Sequence, residues 1–267
     1  MNPFHGSPPQ EVLLSHAPLD TVLCQVRFPP ILSIGKDDYV APFQEAIRKD
    51  YPLTEQWMVQ SLPFPFQAPG GAPPQGLPIT KTYRFSTPDR SWRLNLAPDS
   101  LSLDTSRYTH RTEFLERLSQ ALTTLAAHVP LTHWSRLGIR YVDRIRGENL
   151  ARVPEFFRPE MLGILGMDGI GKHLKQGLSE ALLEVEEGNL AIRYGLLPGG
   201  KTIDPLGIPV DPADSWILDL DGFQEHAETL KPFETQDVIA QTEALSKRIY
   251  AFFRWMVLPP FDQTYGG

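Results

Sequence analysis

Two stretches of this chain carry the same grammar. Residues 19–28 read LDTVLCQVRF, with Val22, Cys24, Val26 and Phe28 on one side of an extended backbone. Residues 137–145 read LGIRYVDRI and open a second run. Alternation of this kind marks a half-buried strand. Each run continues with a helix-like stretch, further strands and a long amphipathic helix. The expected fold is therefore α+β, a duplicated strand-helix-antiparallel strands-helix unit with its helices on one face of an antiparallel sheet. The expected boundaries are a flexible tail over 1–15, a first half over 16–134 and a second over 135–267.

In the first half, Pro29 and Pro30 end the opening strand. A helix follows from Asp37 or Asp38 to about Lys49, with Tyr39, Phe43 and Ile47 as its stripe and Pro42 tolerable only in the first turn. A short strand is expected over 57–62, a hairpin over 80–86 and 91–96, and a further strand over 100–105. Phe114, Leu115, Leu118, Leu122 and Leu125 then step around one face of a helix that Pro130 stops. In the second half, a short helix is expected over 155–165. Gly188 and Asn189 signal a hairpin between 178–187 and 190–196. A strand follows over 216–220 and a helix over 235–257, whose Val238, Thr242, Leu245, Ile249, Phe252 and Met256 form a stripe. The order of elements is similar to that of the TBP-like fold, an analogy that carries no function.

Composition narrows the function classes. A formal net charge of −7 argues against sequence-blind nucleic-acid binding over the whole surface. The single cysteine, Cys24, forbids an intrachain disulfide and fits a reducing compartment, and its strand position predicts a buried small hydrophobe. No apolar run is long enough to span a bilayer, and residues 1–10 do not read as a signal peptide. The expected location is cytoplasmic. Residues 63–78 hold six prolines and three glycines, and 198–214 hold four prolines and three glycines, so both read as loops.

Arginine placement is the most specific chemical signal. The chain has 17 arginines to eight lysines. Arg27, Arg84, Arg93, Arg140, Arg144 and Arg193 lie inside expected strands, on the polar parity. If these strands share a sheet, one face carries a field of guanidiniums suited to phosphate, carboxylate or stacked bases. Arg140 and Arg144 would stand ~13 Å apart at ~3.3 Å per residue. The competing reading is a solvated ladder of cross-strand ion pairs with Glu184, Glu186, Asp219 and Asp221.

Other constellations are weaker. Residues 166–173, GMDGIGKH, approach the phosphate-loop pattern, but His173 replaces the hydroxyl that would hold magnesium, and no strand-to-helix context surrounds it. ATP binding there is not expected. Asp219, Asp221, Glu225 and His226 lack a third metal ligand at a fixed spacing. No nucleophile elbow or zinc-binding helix is present, so neither a cofactor nor a catalytic residue is assigned.

Four blocks, HAPLDTVLCQVRFPP (16–30), SRLGIRYVDRI (135–145), WILDLDGF (216–223) and YAFFRWMV (250–257), resemble a sporadically distributed bacterial family of unassigned activity. The resemblance implies a prokaryotic accessory protein of a mobile or defence-type gene cluster. It supplies no catalytic residues. The expected function is a non-enzymatic binding or regulatory module whose partner is another protein of the same cluster. The alternative is a nucleotide- or nucleic-acid-binding protein, or a phosphate-substrate enzyme using the arginine face with Asp219 and Asp221.

Overall fold

A computed structural model describes residues 3–4, 9–60, 79–205, 207–226 and 228–266. The expected loop over 63–78 lies outside the described residues. The first half runs β1 (Leu19–Arg27), α1 (Asp37–Ile47), β2 (Leu53–Gln60), β3 (Ile79–Ser86), β4 (Trp92–Ala97), β5 (Ser100–Thr105) and α2 (Arg111–His128). After the two-residue β6 (His133–Trp134) come β7 (Arg136–Arg146), the one-turn α3 (Val153–Phe156), β8 (Gly177–Val185), β9 (Gly188–Leu197) and β10 (Ser215–Glu225). The short β11 (Lys231–Pro232), α4 (Thr235–Met256) and α5 (Pro259–Tyr265) complete the chain. The protein is α+β; among the described residues, nine strands form one antiparallel sheet ordered β2-β3-β4-β5-β1-β7-β10-β9-β8. β6 and β11 pair separately.

Alternation places the core. Val22, Cys24 and Val26 of β1 stand opposite Tyr141, Ile139 and Leu137 of β7, and all six turn to the helix-covered face. α1 meets that face through Phe43 against Phe85, and α2 through Phe114 against Trp92. α4 packs on β7 and β10 and against α2. It comes closest at Gly222, where a Cβ would stand 3.0 Å from Ile249 Cδ1. All five apolar residues of the α2 stripe are buried, as are the α4 stripe residues. One apolar cluster runs through both halves.

Several local expectations change. Pro42 sits in the second turn of α1, on its exposed side, and the helix continues past it. The stretch 155–165 is not a regular helix: one turn at α3 gives way to 3₁₀ turns at Pro159–Met161 and Gly163–Gly166. Pro159 lacks the N–H donor that continuing the helix past its first turn needs. The β8–β9 turn is Glu186-Glu187, and Gly188 is already paired with Val185. Gly188 is required for another reason: its φ is +142°, and a Cβ would meet the Phe223 carbonyl oxygen at 2.5 Å. Residues 9–18, part of which was expected to be a flexible tail, run across α4 and α5. The Val12 N–H donates to Tyr250 Oη (2.7 Å), and the His16 N–H to the Tyr265 carbonyl (3.0 Å).

Candidate functional site

The strand register brings all six expected arginines to one face. Arg84 stands opposite Asn95, Asn95 opposite Ser102, and Ser102 opposite Gln25, which shares its parity with Arg27. Arg93 opposes Asp104, Asp104 opposes Leu23, and Leu23 opposes Arg140. Arg140 opposes Asp221, and Asp219 opposes Arg193. Arg144 follows Arg140 by four residues and shares its face. This is the side of the sheet away from α4.

On the first half the arginines form a ladder. The Arg93 guanidinium is paired with Asp104, and Asn95 donates to the other Asp104 oxygen (3.0 Å). Arg84 donates to Asn95 (2.7 Å) and stacks over the Trp57 ring at 4.1 Å. Arg27 donates to Gln25 (3.2 Å). On the second half they converge instead. Arg140 grips Asp219 with two bonds of 2.6 and 2.9 Å and reaches Asp204 at 2.6 Å. Arg193 donates to Asp219 Oδ2, the oxygen of the 2.9 Å bond, at 2.8 Å. Arg144 donates to the Pro209 carbonyl (2.9 Å) and lies between Asp20 and Asp211.

This second half of the face is not solvated, contrary to the ladder expectation. Arg140 is 2% exposed and Arg144 3%. The loop over 198–214 folds back across β7, β9 and β10. It supplies Asp204 and Asp211 as counter-ions and seals them with Ile208, which packs on Val142, Leu197 and Ile217. Burial pulls the Arg140 pKa down, but the Asp219 and Asp204 carboxylates outweigh it and hold the guanidinium more firmly protonated than usual. The same ion pairing draws the Asp204 carboxyl below its ordinary range despite its burial. Every guanidinium of the six thus has a partner within the chain.

Asp221 is buried 3.4 Å from Arg136, and burial pushes its pKa up to about 6. His226 lies edge-on to Trp134, centroids 5.0 Å apart. Among the described residues, no three histidine, cysteine or acidic groups are grouped to hold a metal ion. Cys24 is fully buried, and burial drives its thiol up to about 12. Residues 166–173 form turns, with a 3₁₀ turn at Gly171–His173 and no helix after the glycines. No helix among the described residues is long and apolar enough to cross a membrane.

A feature the arginine pattern did not reveal lies on the opposite, helix-covered face. A cavity of about 110 Å³ opens between β1, β7, β10, the start of α2, α4 and the N-terminal segment. Its walls include Leu14, Leu19, Leu220, Ile249 and Phe253, with Tyr108, Tyr141 and Tyr250. Val12 and Leu13, both more than half exposed, also line it. The polar atoms around it are mostly matched. Arg111 donates to Ser246 Oγ (2.8 Å) and lies 3.7 Å from Glu11, and the Tyr141 and Ser246 hydroxyls are 2.7 Å apart. Asp143 is the exception. It is 7% exposed, faces the cavity, and has no hydrogen-bond or ion-pair partner among the described residues. Burial, reinforced by the nearby Asp20 carboxylate, raises its pKa to about 7. The sequence did hold a signal for it. In LGIRYVDRI, Asp143 shares its parity with Leu137, Ile139 and Tyr141, so an acid occupies a core-facing strand position.

No protein-family model, no curated protein and no solved structure matches this chain.

Proposed function

We propose that this chain is a non-enzymatic binding or regulatory module that acts by contact with another protein, encoded in the same prokaryotic, defence-type gene cluster. In this reading the protein is cytoplasmic. Its two halves are a duplicated unit in TBP-like order, with an approximate two-fold axis between β1 and β7. The outward sequences β1-β5-β4-β3 and β7-β10-β9-β8 support that pairing.

The observation that carries the protein-contact reading is the distribution of unmatched surface. The arginine face is matched internally, whereas apolar side chains are exposed at both ends of the sheet. On the terminal strand β2, Trp57 and Met58 are 43% and 69% exposed. Beside the terminal strand β8, Leu182, Ile164, Met167 and Ile170 are each about half exposed. A terminal strand presents unpaired backbone groups, and apolar rims beside it mark interaction surfaces. The resemblance to a sporadically distributed bacterial family supplies the gene-cluster setting. The test is co-expression with each neighbouring gene product, followed by size-exclusion chromatography with light scattering. A stoichiometric complex is expected, weakened at least tenfold by Leu182→Glu with Met167→Glu. Separate elution from every neighbour product overturns the reading.

A further inference from the structure

We propose that the Asp143 cavity is a binding site for a small amphiphilic monocation, a primary ammonium group on a short apolar body, with Asp143 as its counter-ion. The proposal does not depend on the protein-contact reading, because the cavity lies on the opposite side of the sheet from the arginines and away from its terminal strands.

A charged group removed from water without a partner is strongly disfavoured, so buried acids in folded proteins are nearly always paired. On the other face of the same sheet, the buried Asp219 follows that rule, held by Arg140 and Arg193. Asp143 does not, although it sits one residue from Arg144 and three from Arg146. Strand alternation sends those guanidiniums to the far side. Asp143 is left lining the cavity, where its carboxyl faces the space between the helices and the N-terminal segment.

The walls select the ligand class. Three tyrosines and Phe253 present ring faces and edges, with Tyr108 and Tyr141 set edge-to-face at 5.7 Å. Aromatic rings around an acid attract alkylammonium cations. Lining charge also favours one positive charge: Asp143 and Glu11 are acidic, Arg111 alone is basic, leaving an excess of one negative when all are ionised. An inorganic cation is a poor fit, because hard ions need six or more oxygen ligands and most of this wall is carbon. A phosphate or carboxylate ligand is repelled. An engineered apolar cavity of about 150 Å³ takes benzene, so this volume suits a body of about four or five carbons. The exposed Val12 and Leu13 place the entrance at the N-terminal segment.

The titratable groups that line the cavity with Asp143 are Glu11 in the N-terminal segment, Arg111 and Tyr108 around the α2 start, Tyr141 on its own strand and Tyr250 on α4, while Asp20 on β1, paired with Arg144 and Arg146, and Tyr265 on α5 lie near enough to interact with it electrostatically. Burial pushes all four phenols above their ordinary range, so they stay neutral between pH 6 and 8. An alkylammonium stays charged over the same window. Asp143 titrates within it, so amine binding should strengthen about tenfold from pH 6 to pH 8.

The experiment is isothermal titration of the full chain with n-butylamine and with n-butanol, at pH 6 and pH 8. At pH 8 the amine should bind at least tenfold tighter than the alcohol. Asp143→Asn should remove that preference. If the variant does not fold, the wild-type comparisons of amine with alcohol and of pH 8 with pH 6 decide alone. The proposal is overturned if the amine binds no better than the alcohol, if neither binds at millimolar concentration, if the preference does not grow with pH, or if it survives in a folded Asp143→Asn protein.

Discussion

Asp219 accepts bonds from two guanidiniums, which makes it the most sensitive polar residue on the arginine face. Asp219→Ala leaves Arg140 with Asp204 alone and Arg193 without its carboxylate, both buried. Removing one partner of a buried pair costs about 3–5 kcal/mol. A loss of that size in urea denaturation is expected, with no change in slope. Arg140→Ala with Arg144→Ala should likewise destabilise by about 3 kcal/mol or more, because these side chains are buried rather than displayed. Arg93→Ala should cost less, about 1–2 kcal/mol, because its guanidinium is partly exposed and Asp104 keeps its bond from Asn95. Asp143 gives the opposite sign. Its folded pKa of about 7 lies above the ordinary 3.8, so between those values the folded state binds more protons than the unfolded chain. Its contribution is therefore harmless below pH 4, erodes stability as pH rises toward 7, and is constant above. Relative to wild type, Asp143→Asn should gain on the order of 2–4 kcal/mol between pH 4 and pH 8. Urea denaturation at the two pH values measures this. A gain no larger at pH 8 than at pH 4 would mean that Asp143 carries no such shift.

The elements differ in how much of their form was legible. The α2 and α4 stripes, the β3–β4 hairpin and β1 follow from periodicity and stop signals, which act within a few residues. The β8–β9 turn was displaced by two residues because Gly188 answers to β10 rather than to the turn: the Phe223 carbonyl occupies the space a side chain would take. α5 was not expected, because seven residues are too few to carry a periodic stripe, although its two prolines are well placed in a first helical turn. Gly222→Val tests the α4 contact. The added methyls meet Ile249 and Leu245, so a loss of about 1–3 kcal/mol is expected, visible as a lower urea midpoint. The glycine-rich segment over 166–173 has no following helix to orient backbone donors toward phosphate. Calorimetry should therefore find no micromolar Mg-ATP binding, and Lys172→Ala should match wild type.

At the scale of the molecule, β1 and β7 pair in the centre of the sheet, and α2 packs on α4 above them. The apolar cluster crosses that seam without a break. Cutting there exposes a full strand edge and the facing helix stripes, so a fragment over 135–267 should not fold alone. Circular dichroism of that fragment, against one cooperative melt for the whole chain, measures the dependence. A folded, cooperatively melting fragment would show that each half holds a sufficient core.

Sequence alone determined the class of fold, most of the elements and the common face of the six arginines, because strand and helix periodicities are local and each residue's parity follows from its neighbours. Tertiary structure decided what those residues do. The burial of Arg140 and Arg144 depends on the 198–214 loop, whose Asp204 and Pro209 lie 64 and 65 residues further along the chain. Nothing in the spacing of the arginines announces its return. The solitary state of Asp143 depends on alternation sending Arg144 and Arg146 to the other side, and on the 11–19 segment roofing the space in front of it. Parity assigns a side chain to a face. Whether a charge there meets solvent, a counter-ion or a cavity is set by segments distant in the chain, and the large free-energy differences among those outcomes arise from desolvation.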